Sequence, residues 1–198
     1  MHPAAYQFVR DAAQSFAADP LHVLEFGSYN VNGSVRPLFP NAQWVGVDLR
    51  PGPCVDIVAD AATFSFPGRF DLVICCEAFE HTENWREIVA NAARVLKPGG
   101  RFIGTAAGPL RAPHGCNGGP FDPASGETYG NIEPGALRST LKDYFPVVDV
   151  DVLADDVRWL ATKGDEGEWR CVGCGRWWDE GDRVTGEEAK DSECPECL

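Results

Sequence analysis

The sequence predicts an α/β fold built on a mostly parallel β-sheet. Three short apolar runs between residues 21 and 60 each end in a small or acidic residue. An apolar run of about four to six residues is typical of a strand that is buried on both faces of such a sheet. Helical patterns follow these runs, so strand and helix signals alternate along the chain as they do in β-α-β units. Ligands of open α/β sheets bind where the strands end, at their carboxyl ends.

Three helices and a closing hairpin complete the predicted domain. Apolar side chains recur at helical spacing over residues 3–18 and 84–95, and residues 136–144 form a third predicted helix. The segments around residues 145–151 and 157–162 are expected to be the last two strands, paired as a hairpin.

A long connection separates the last predicted helix from the strands that precede it. Residues 105–134 are rich in glycine, proline and asparagine and show no periodic pattern. A connection of this length inside a compact domain is usually functional or disordered. We expect it to lie over the carboxyl edge of the sheet.

The turn after the first predicted strand and the acid that ends the second predict a nucleoside site. Gly27 and Gly33 lie in this turn and allow the backbone to come close to a ligand. Asp48 ends the second strand, where a carboxylate accepts hydrogen bonds from both hydroxyl groups of a ribose. Glu25, at the end of the first strand, would repel a pyrophosphate but suits a ligand that carries positive charge.

In these features the chain resembles the class I S-adenosylmethionine-dependent methyltransferases, whose first motif is an acid, one residue and a glycine-rich turn. The resemblance covers roughly residues 20–165 and includes FDLVICCE at residues 70–77 and RVLKPGGRF at residues 94–102. It implies a Rossmann-like, mostly parallel seven-stranded sheet with helices on both faces, and S-adenosylmethionine as the cofactor. Asparagines stand in the turn in place of one glycine of the family pattern. The implied cofactor-binding residues are Glu25, Gly27, Ser28, Asn32, Gly33, Asp48, Leu49, Asp60, Ala61 and Cys76.

Four residues are candidates for the reaction itself. Methyl transfer from a sulfonium chiefly requires a positioned acceptor and needs a general base only when the acceptor keeps its proton at neutral pH. Glu77 and His81 follow the fourth predicted strand, where an acceptor would meet the methyl group, and His114 and Tyr129 belong to the long connection. Plainer alternatives remain open: Glu80, which follows the same strand, and His81 could cap the helix that begins near Asn84, and His114 and Tyr129 could make ordinary loop hydrogen bonds.

The segment after residue 164 carries a different signal. Cys171 and Cys174 form one C-x-x-C pair and Cys194 and Cys197 form a second, a spacing that predicts a tetrahedral Zn²⁺ site. Four thiolates leave no open position on the ion, so the predicted role is structural. The alternative is a pair of disulfides or reduced thiols. We therefore divide the chain into a cofactor-binding domain, residues 1–164, and a zinc-ribbon-like tail, residues 165–198, which is a candidate docking element for a protein partner.

The composition of the chain limits the kinds of partner that we expect the protein to bind. The 198 residues carry a formal net charge of −13, which argues against a surface that tracks nucleic-acid phosphates. The sequence contains neither an apolar stretch of the roughly 18 residues that a membrane span needs nor a secretory signal pattern, so we expect a cytoplasmic protein without a membrane partner. The favoured function is methyl transfer to an oxygen or nitrogen of a small molecule or polar group. The alternatives are methylation of nucleic acid or protein recruited by the tail, and a non-catalytic cofactor-binding scaffold.

Overall fold

The computed structural model describes residues 2–16, 20–66, 70–165, 168–170 and 177–179. Within these ranges the helices are α1 (Pro3–Ala13), α2 (Trp85–Val95) and α3 (Pro134–Lys142). The strands are β1 (His22–Phe26), β2 (Gln43–Asp48), β3 (Ile57–Val58), β4 (Phe70–Cys76), β5 (Leu96–Ala107), β6 (Val147–Leu153), β7 (Asp156–Thr162), β8 (Glu168–Arg170) and β9 (Trp177–Asp179).

Seven of the strands form one sheet in the order β3-β2-β1-β4-β5-β7-β6. The pairs among β1 to β5 are parallel, whereas β7 runs antiparallel to both β5 and β6. Phe26 pairs with both Val47 and Cys75, so β1, β2 and β4 end at the same edge of the sheet. The predicted mostly parallel, seven-stranded, Rossmann-like sheet is confirmed.

Helices cover both faces of this sheet. Along β4, Val73 and Cys75 belong to the core that includes α2 and α3, while Leu72 and Ile74 belong to the core that includes α1. Successive side chains of a strand point to opposite faces, so a strand covered on both sides is apolar at every position. This is the physical reason for the uninterrupted apolar run that the sequence shows.

The hairpin at the end of the domain is also confirmed. β6 and β7 pair from Leu153 and Asp156 outward, and Ala154 and Asp155 between them have φ angles of 53° and 67°. Positive φ at both central residues is the geometry of a two-residue turn that matches the twist of the flanking strands.

The predicted boundary between the fifth strand and the long connection was wrong, and the first helix, predicted over residues 3–18, ends at Ala13. Residues 105–107 were assigned to the long connection, but they continue β5 and pair with Arg158, Val157 and Asp156 of β7. The partner strand supplies the hydrogen bonds of this extension, and a sequence pattern does not show such a partner. The connection therefore begins at Gly108 and contains a short 3₁₀ turn, Pro123–Ser125, before α3.

β8 and β9 form a separate two-stranded antiparallel sheet in which Trp169 pairs with Trp178. The chain between them carries the first C-x-x-C pair. Cys171, Cys174, Cys194 and Cys197 lie outside the described residues, so the zinc site stays a prediction. Among the described helices none combines the length and the apolar character that crossing a bilayer requires.

An aromatic stack fixes the segment that follows β4. Phe79 is fully buried, and its ring lies 4.7 Å from that of Trp159 on β7 with an interplanar angle of 11°. It also contacts Trp85 of α2, with ring centroids 5.8 Å apart. Phe79 opens a 3₁₀ turn, Phe79–His81, so these contacts set the position of the two residues that follow it.

Replacing Phe79 should destabilise the whole domain. Phe79→Ala removes a fully buried ring and should lower the free energy of unfolding by about 3–5 kcal/mol, measured by urea denaturation. Leu110→Ala is the control, because Leu110 is 83% exposed and should change stability by no more than about 0.5 kcal/mol. A loss below about 1 kcal/mol for Phe79→Ala would contradict the role given to the stack.

Candidate functional site

One cavity of about 550 Å³ opens at the carboxyl edge of the parallel strands. Its walls come from the turns that follow β1, β2, β3 and β4 and from the long connection after β5. Three of the four candidate catalytic residues, Glu77, His81 and His114, line it, whereas Tyr129 is not among its lining residues. The ten predicted cofactor-binding residues all line it: Glu25, Gly27, Ser28, Asn32, Gly33, Asp48, Leu49, Asp60, Ala61 and Cys76.

The turn after β1 presents backbone and a free hydroxyl group to the cavity. Gly27 has a φ of +69°, and a Cβ at this position would lie 2.6 Å from the Cβ of Ala78. Glycine is therefore required both by the backbone conformation and by the close approach of the turn after β4. The next side chain, Ser28, is buried, and its Oγ has no hydrogen-bond partner among the described residues. A buried hydroxyl without a partner is costly unless a ligand satisfies it.

Asp48 is held at the end of β2 by two backbone amides. Tyr29 N donates to its Oδ2 and Arg50 N donates to its Oδ1, each at 3.1 Å. Arg50 also reaches across to the long connection, where its Nη1 donates to Asn117 Oδ1 at 2.9 Å. The carboxylate is thus oriented beside a cavity that the loop partly covers.

The turn after β3 is fixed by a buried side chain of α2. Asn91 is 2% exposed, and its Nδ2 donates to the carbonyl oxygens of Ala61 at 2.7 Å and of Phe64 at 2.8 Å. Asp60 Oδ1 accepts from Ala62 N at 2.9 Å. Asp60 and Ala61 therefore sit on a rigid turn at the cavity wall.

Glu25 is buried and already has a cationic partner. Arg36 Nε donates to its Oε2 at 3.1 Å, and Arg36 Nη2 donates to the carbonyl oxygen of Cys54 at 2.6 Å. Burial raises the pKa of the Glu25 carboxyl to about 7, and the bond and charge of Arg36 oppose this rise. The sequence analysis did not anticipate this pair, because the connection between β1 and β2 had to fold before the two residues met.

Glu77 adopts a backbone conformation that side chains rarely take. Its φ is 54°, and this left-handed region costs a residue with a Cβ about 1–2 kcal/mol. Two hydrogen bonds to β5 hold it there: Glu77 N donates to Thr105 O at 2.7 Å, and Thr105 Oγ1 donates to Glu77 Oε1 at 2.8 Å. Such strain next to a ligand cavity is a common feature of functional sites.

His81, His114 and Tyr129 form one aromatic cluster. The ring centroids of His81 and His114 are 5.2 Å apart, and that of Tyr129 lies 5.6 Å from the first and 5.2 Å from the second. Burial lowers the pKa of His81, and the charge of His114 lowers it further. Three of the four catalytic candidates, from two distant parts of the sequence, are therefore in contact.

Glu80 lies beside this cluster; the sequence places it just after the fourth strand, with helix capping as its plainer alternative. That alternative is wrong: the N-cap of α2 is Asn84, and the amide of Asn84 donates to Thr82 Oγ1 at 3.1 Å. Glu80 is fully buried, and burial together with the charge of Glu77 raises its pKa to about 8. The amides of Glu80 and Ala107 oppose this rise, but neither carboxylate oxygen has a hydrogen-bond partner among the described residues.

Sequence reasoning also missed an ionic group at the same end of the cavity. His2 Nε2 lies 2.6 Å from Asp156 Oδ2, and Arg111 forms an ion pair with Asp156 and lies 3.8 Å from Glu77. His2 and Arg111 line the cavity. His2 lies near the start of the sequence, Arg111 in the long connection and Asp156 on β7. No local sequence pattern links three such distant residues.

Comparison with known proteins gives a family match and a shared fold. A family model described as a methyltransferase domain matches residues 30–104. No curated protein matches the sequence significantly. A Burkholderia thailandensis 1,6-didemethyltoxoflavin N1-methyltransferase with bound S-adenosylhomocysteine has a TM-score of 0.61 at 16% identity, covering 82% of this chain and 79% of that one.

Two other solved structures share the fold. An S-adenosylmethionine-dependent methyltransferase from Mesorhizobium loti has a TM-score of 0.60 at 17% identity over 80% of this chain and 98% of that one. The magnesium protoporphyrin IX methyltransferase of Synechocystis, with bound S-adenosylmethionine, has a TM-score of 0.55 at 17% identity over 80% and 78%. The described domain therefore has the class I methyltransferase fold. The enzyme class that this fold and the domain match support is that of the S-adenosylmethionine-dependent methyltransferases.

The pKa of Glu25 predicts a specific dependence of stability on pH. Its folded value of about 7 lies above the ordinary 4.5, so the folded carboxyl keeps a proton that the unfolded one has lost. This contribution to stability is fully present below about pH 4.5 and is lost as the pH rises towards about 7. Glu25→Gln, which cannot ionise, should therefore lose less stability than the wild type over this range, by up to about 3 kcal/mol.

Urea denaturation of the wild type and of Glu25→Gln at about pH 5 and about pH 8 measures how much the free energy of unfolding of each protein changes with pH. Glu83→Gln, an exposed glutamate, is the control and should follow the wild type. An identical pH dependence for Glu25→Gln and the wild type would contradict the raised pKa, because it would mean that Arg36 fully cancels the effect of burial.

Proposed function

We propose that the protein transfers the methyl group of S-adenosylmethionine to an oxygen or nitrogen atom of a small-molecule acceptor. The observation that carries the proposal is the cavity at the sheet edge, which brings the ten predicted cofactor-binding residues and three catalytic candidates to one volume of about 550 Å³. Small-molecule sites typically occupy about 300–1,000 Å³. The net charge of −13 supports a small acceptor over a nucleic acid.

The residues of the cavity fit the cofactor. Ser28 Oγ, buried and without a protein partner among the described residues, offers a hydrogen bond that a ligand can satisfy. Asp48, oriented by two amides, would accept from the ribose hydroxyls, and Asp60 with Ala61 would meet the adenine. The bound cofactor supplies a methyl group on a sulfonium, which is already a good leaving group.

At the other end of the cavity, Glu77, His81 and His114 form what we call the acceptor end. Glu77 is held rigidly by Thr105, and His81 follows the stacked Phe79. Their role in this proposal is to orient the acceptor and to exclude water, which is most of what this displacement requires. Burial lowers the pKa of His81, which favours the neutral imidazole at this end of the cavity.

The nucleoside end of the cavity is tested by Asp48→Asn and Asp48→Ala. Each charge-assisted hydrogen bond to the ribose is worth about 1.5–3 kcal/mol, so S-adenosylmethionine should raise the melting temperature of the wild type far more than that of either variant. Asp149→Ala, on the exposed side of β6, should respond like the wild type. A shift of the wild type by NAD and none by S-adenosylmethionine would overturn the proposal.

The acceptor class is tested by incubating the enzyme with methyl-labelled cofactor and fractionated cell extract. Label should enter the small-metabolite fraction and depend on the protein. Label that enters only nucleic acid or only protein would instead favour the macromolecular alternative. No transfer to any fraction, together with a normal thermal shift by the cofactor, would favour a non-catalytic scaffold.

We also propose that residues 165–198 form a zinc-binding element separate from the domain of residues 1–164. The full chain should hold one zinc ion through Cys171, Cys174, Cys194 and Cys197, with Zn–S distances of about 2.3 Å by X-ray absorption. A shortened chain of residues 1–164 should lose the zinc–sulfur signal and keep the thermal shift by S-adenosylmethionine, because the sheet has its own core. Disulfides found by mass spectrometry, or loss of cofactor binding on shortening, would contradict this division.

A further inference from the structure

Three side chains beside the acceptor end come close together, and two of them leave buried polar atoms unsatisfied. Both carboxylate oxygens of Glu80 and Nδ1 of His81 are buried and have no hydrogen-bond partner among the described residues. The third side chain is His114, whose Nε2 lies 3.8 Å from Glu80 Oε1. One atom from each of the three residues lies within 4.8 Å of one from each of the others.

The separation between Glu80 and His114 is informative. A distance of 3.8 Å is too long for a hydrogen bond. His114 Nδ1 lies 3.4 Å from the carbonyl oxygen of Ala112, a contact that favours the proton on Nδ1. In that tautomer Nε2 carries a lone pair and is an acceptor, as is an ionised Oε1 of Glu80 at this distance from it. A cation between the two atoms would satisfy both.

We propose that Glu80, His81 and His114 bind a divalent first-row transition-metal cation. Two imidazoles and one carboxylate form a ligand set that zinc and non-haem iron sites use, and such sites keep coordination positions open. With metal–ligand bonds of about 2.0–2.2 Å, two ligand atoms of one ion lie at most about 4.0–4.4 Å apart. The observed 3.8 Å between His114 and Glu80 is therefore compatible with a shared ion.

Contacts with neighbouring residues hold the three proposed ligands in place. Glu80 and His81 follow the buried Phe79, and Gly130 N donates to Glu80 O at 2.8 Å, which ties the turn to the long connection. His114 forms a β-bridge with Pro120, and its second ring nitrogen contacts a backbone carbonyl. A carbonyl on the second nitrogen of a histidine is the usual outer partner of a metal ligand, because it fixes the tautomer and the ring orientation.

The open coordination positions would face the cavity, since His81 and His114 line it. On the basis of the proposed function, the group that occupies them is an oxygen of the acceptor. A metal-bound hydroxyl group has a lowered pKa and releases its proton to solvent, which leaves a better nucleophile beside the cofactor. The acceptor class that follows is a hydroxyl compound that coordinates a metal, such as an ortho-diphenol.

The test uses the full chain, stripped with a chelator and titrated with Co²⁺. Cobalt in the proposed site gives visible absorption without sulfur charge-transfer bands, which distinguishes it from cobalt bound by the tail cysteines. His114→Ala and Glu80→Gln should each bind one equivalent less than the wild type and lose this sulfur-free signal. His22→Ala, in which an exposed histidine at the start of β1 is removed, should bind like the wild type.

Retention of the full cobalt stoichiometry and of the sulfur-free signal by His114→Ala would overturn the proposal, even where Glu80→Gln fails to fold. Catechol added to the cobalt protein should change the visible spectrum of the wild type, and an unchanged spectrum would overturn the open position. The thermal shift by S-adenosylmethionine, measured on the same samples, separates the two proposals. A normal thermal shift without the sulfur-free cobalt signal would refute the proposed metal site and leave the proposed methyltransferase function intact. The cobalt signal without a thermal shift would refute the proposed methyltransferase function.

Discussion

The stack of Phe79 on Trp159 is the contact on which the candidate site depends. It joins the turn after β4 to β7, the antiparallel strand that completes the sheet beside β5. The packing of Phe79 determines where its neighbours in the chain lie. These neighbours, all within two residues of it, include Glu77, Glu80 and His81. Without the stack, a strained residue at Glu77 and a buried carboxylate at Glu80 would relax towards solvent, because each is costly without a rigid surrounding.

Buried acidic groups lie in and around the cavity, and the protein compensates their charges unequally. Glu25 is paired with Arg36, and Asp156 is paired with Arg111 and His2. Glu80 has no cation within hydrogen-bond distance among the described residues, although its carboxylate is fully buried. An uncompensated buried carboxylate either keeps a proton or binds a cation. This imbalance between otherwise similar acids is what sets the acceptor end apart from the nucleoside end.

The short connection between β1 and β2 shapes the nucleoside end. It contains one 3₁₀ turn, Arg36–Leu38, where β-α-β units usually have a crossover helix. The turn places Arg36 where it donates hydrogen bonds to Glu25 and to the carbonyl oxygen of Cys54. The same connection contains Gly27 and Ser28, which line the cavity. A compact connection thus provides both the compensation of a buried charge and the backbone surface that the proposed cofactor needs.

The sequence by itself determined the sheet and the residues that end its strands. Uninterrupted apolar runs specify buried parallel strands, and the turns at Gly27, Asp48 and Asp60 follow them directly. Local pattern together with the family resemblance therefore predicted the ten residues that line one cavity. Local pattern also placed Glu77 and His81 after β4. It did not extend β5 through Ala107, because the hydrogen bonds there come from a strand about fifty residues further along the chain.

Only the tertiary structure decided what stands beside each of these residues. The pairing of Glu25 with Arg36, the contact of His81 with His114, and the position of Glu80 between them depend on connections that fold back across the sheet edge. Such contacts join residues that are far apart in the chain, and no periodicity encodes them. Burial also separates the roles of identical side chains: Glu77 is satisfied by Thr105, whereas Glu80, three residues on, has no such partner among the described residues.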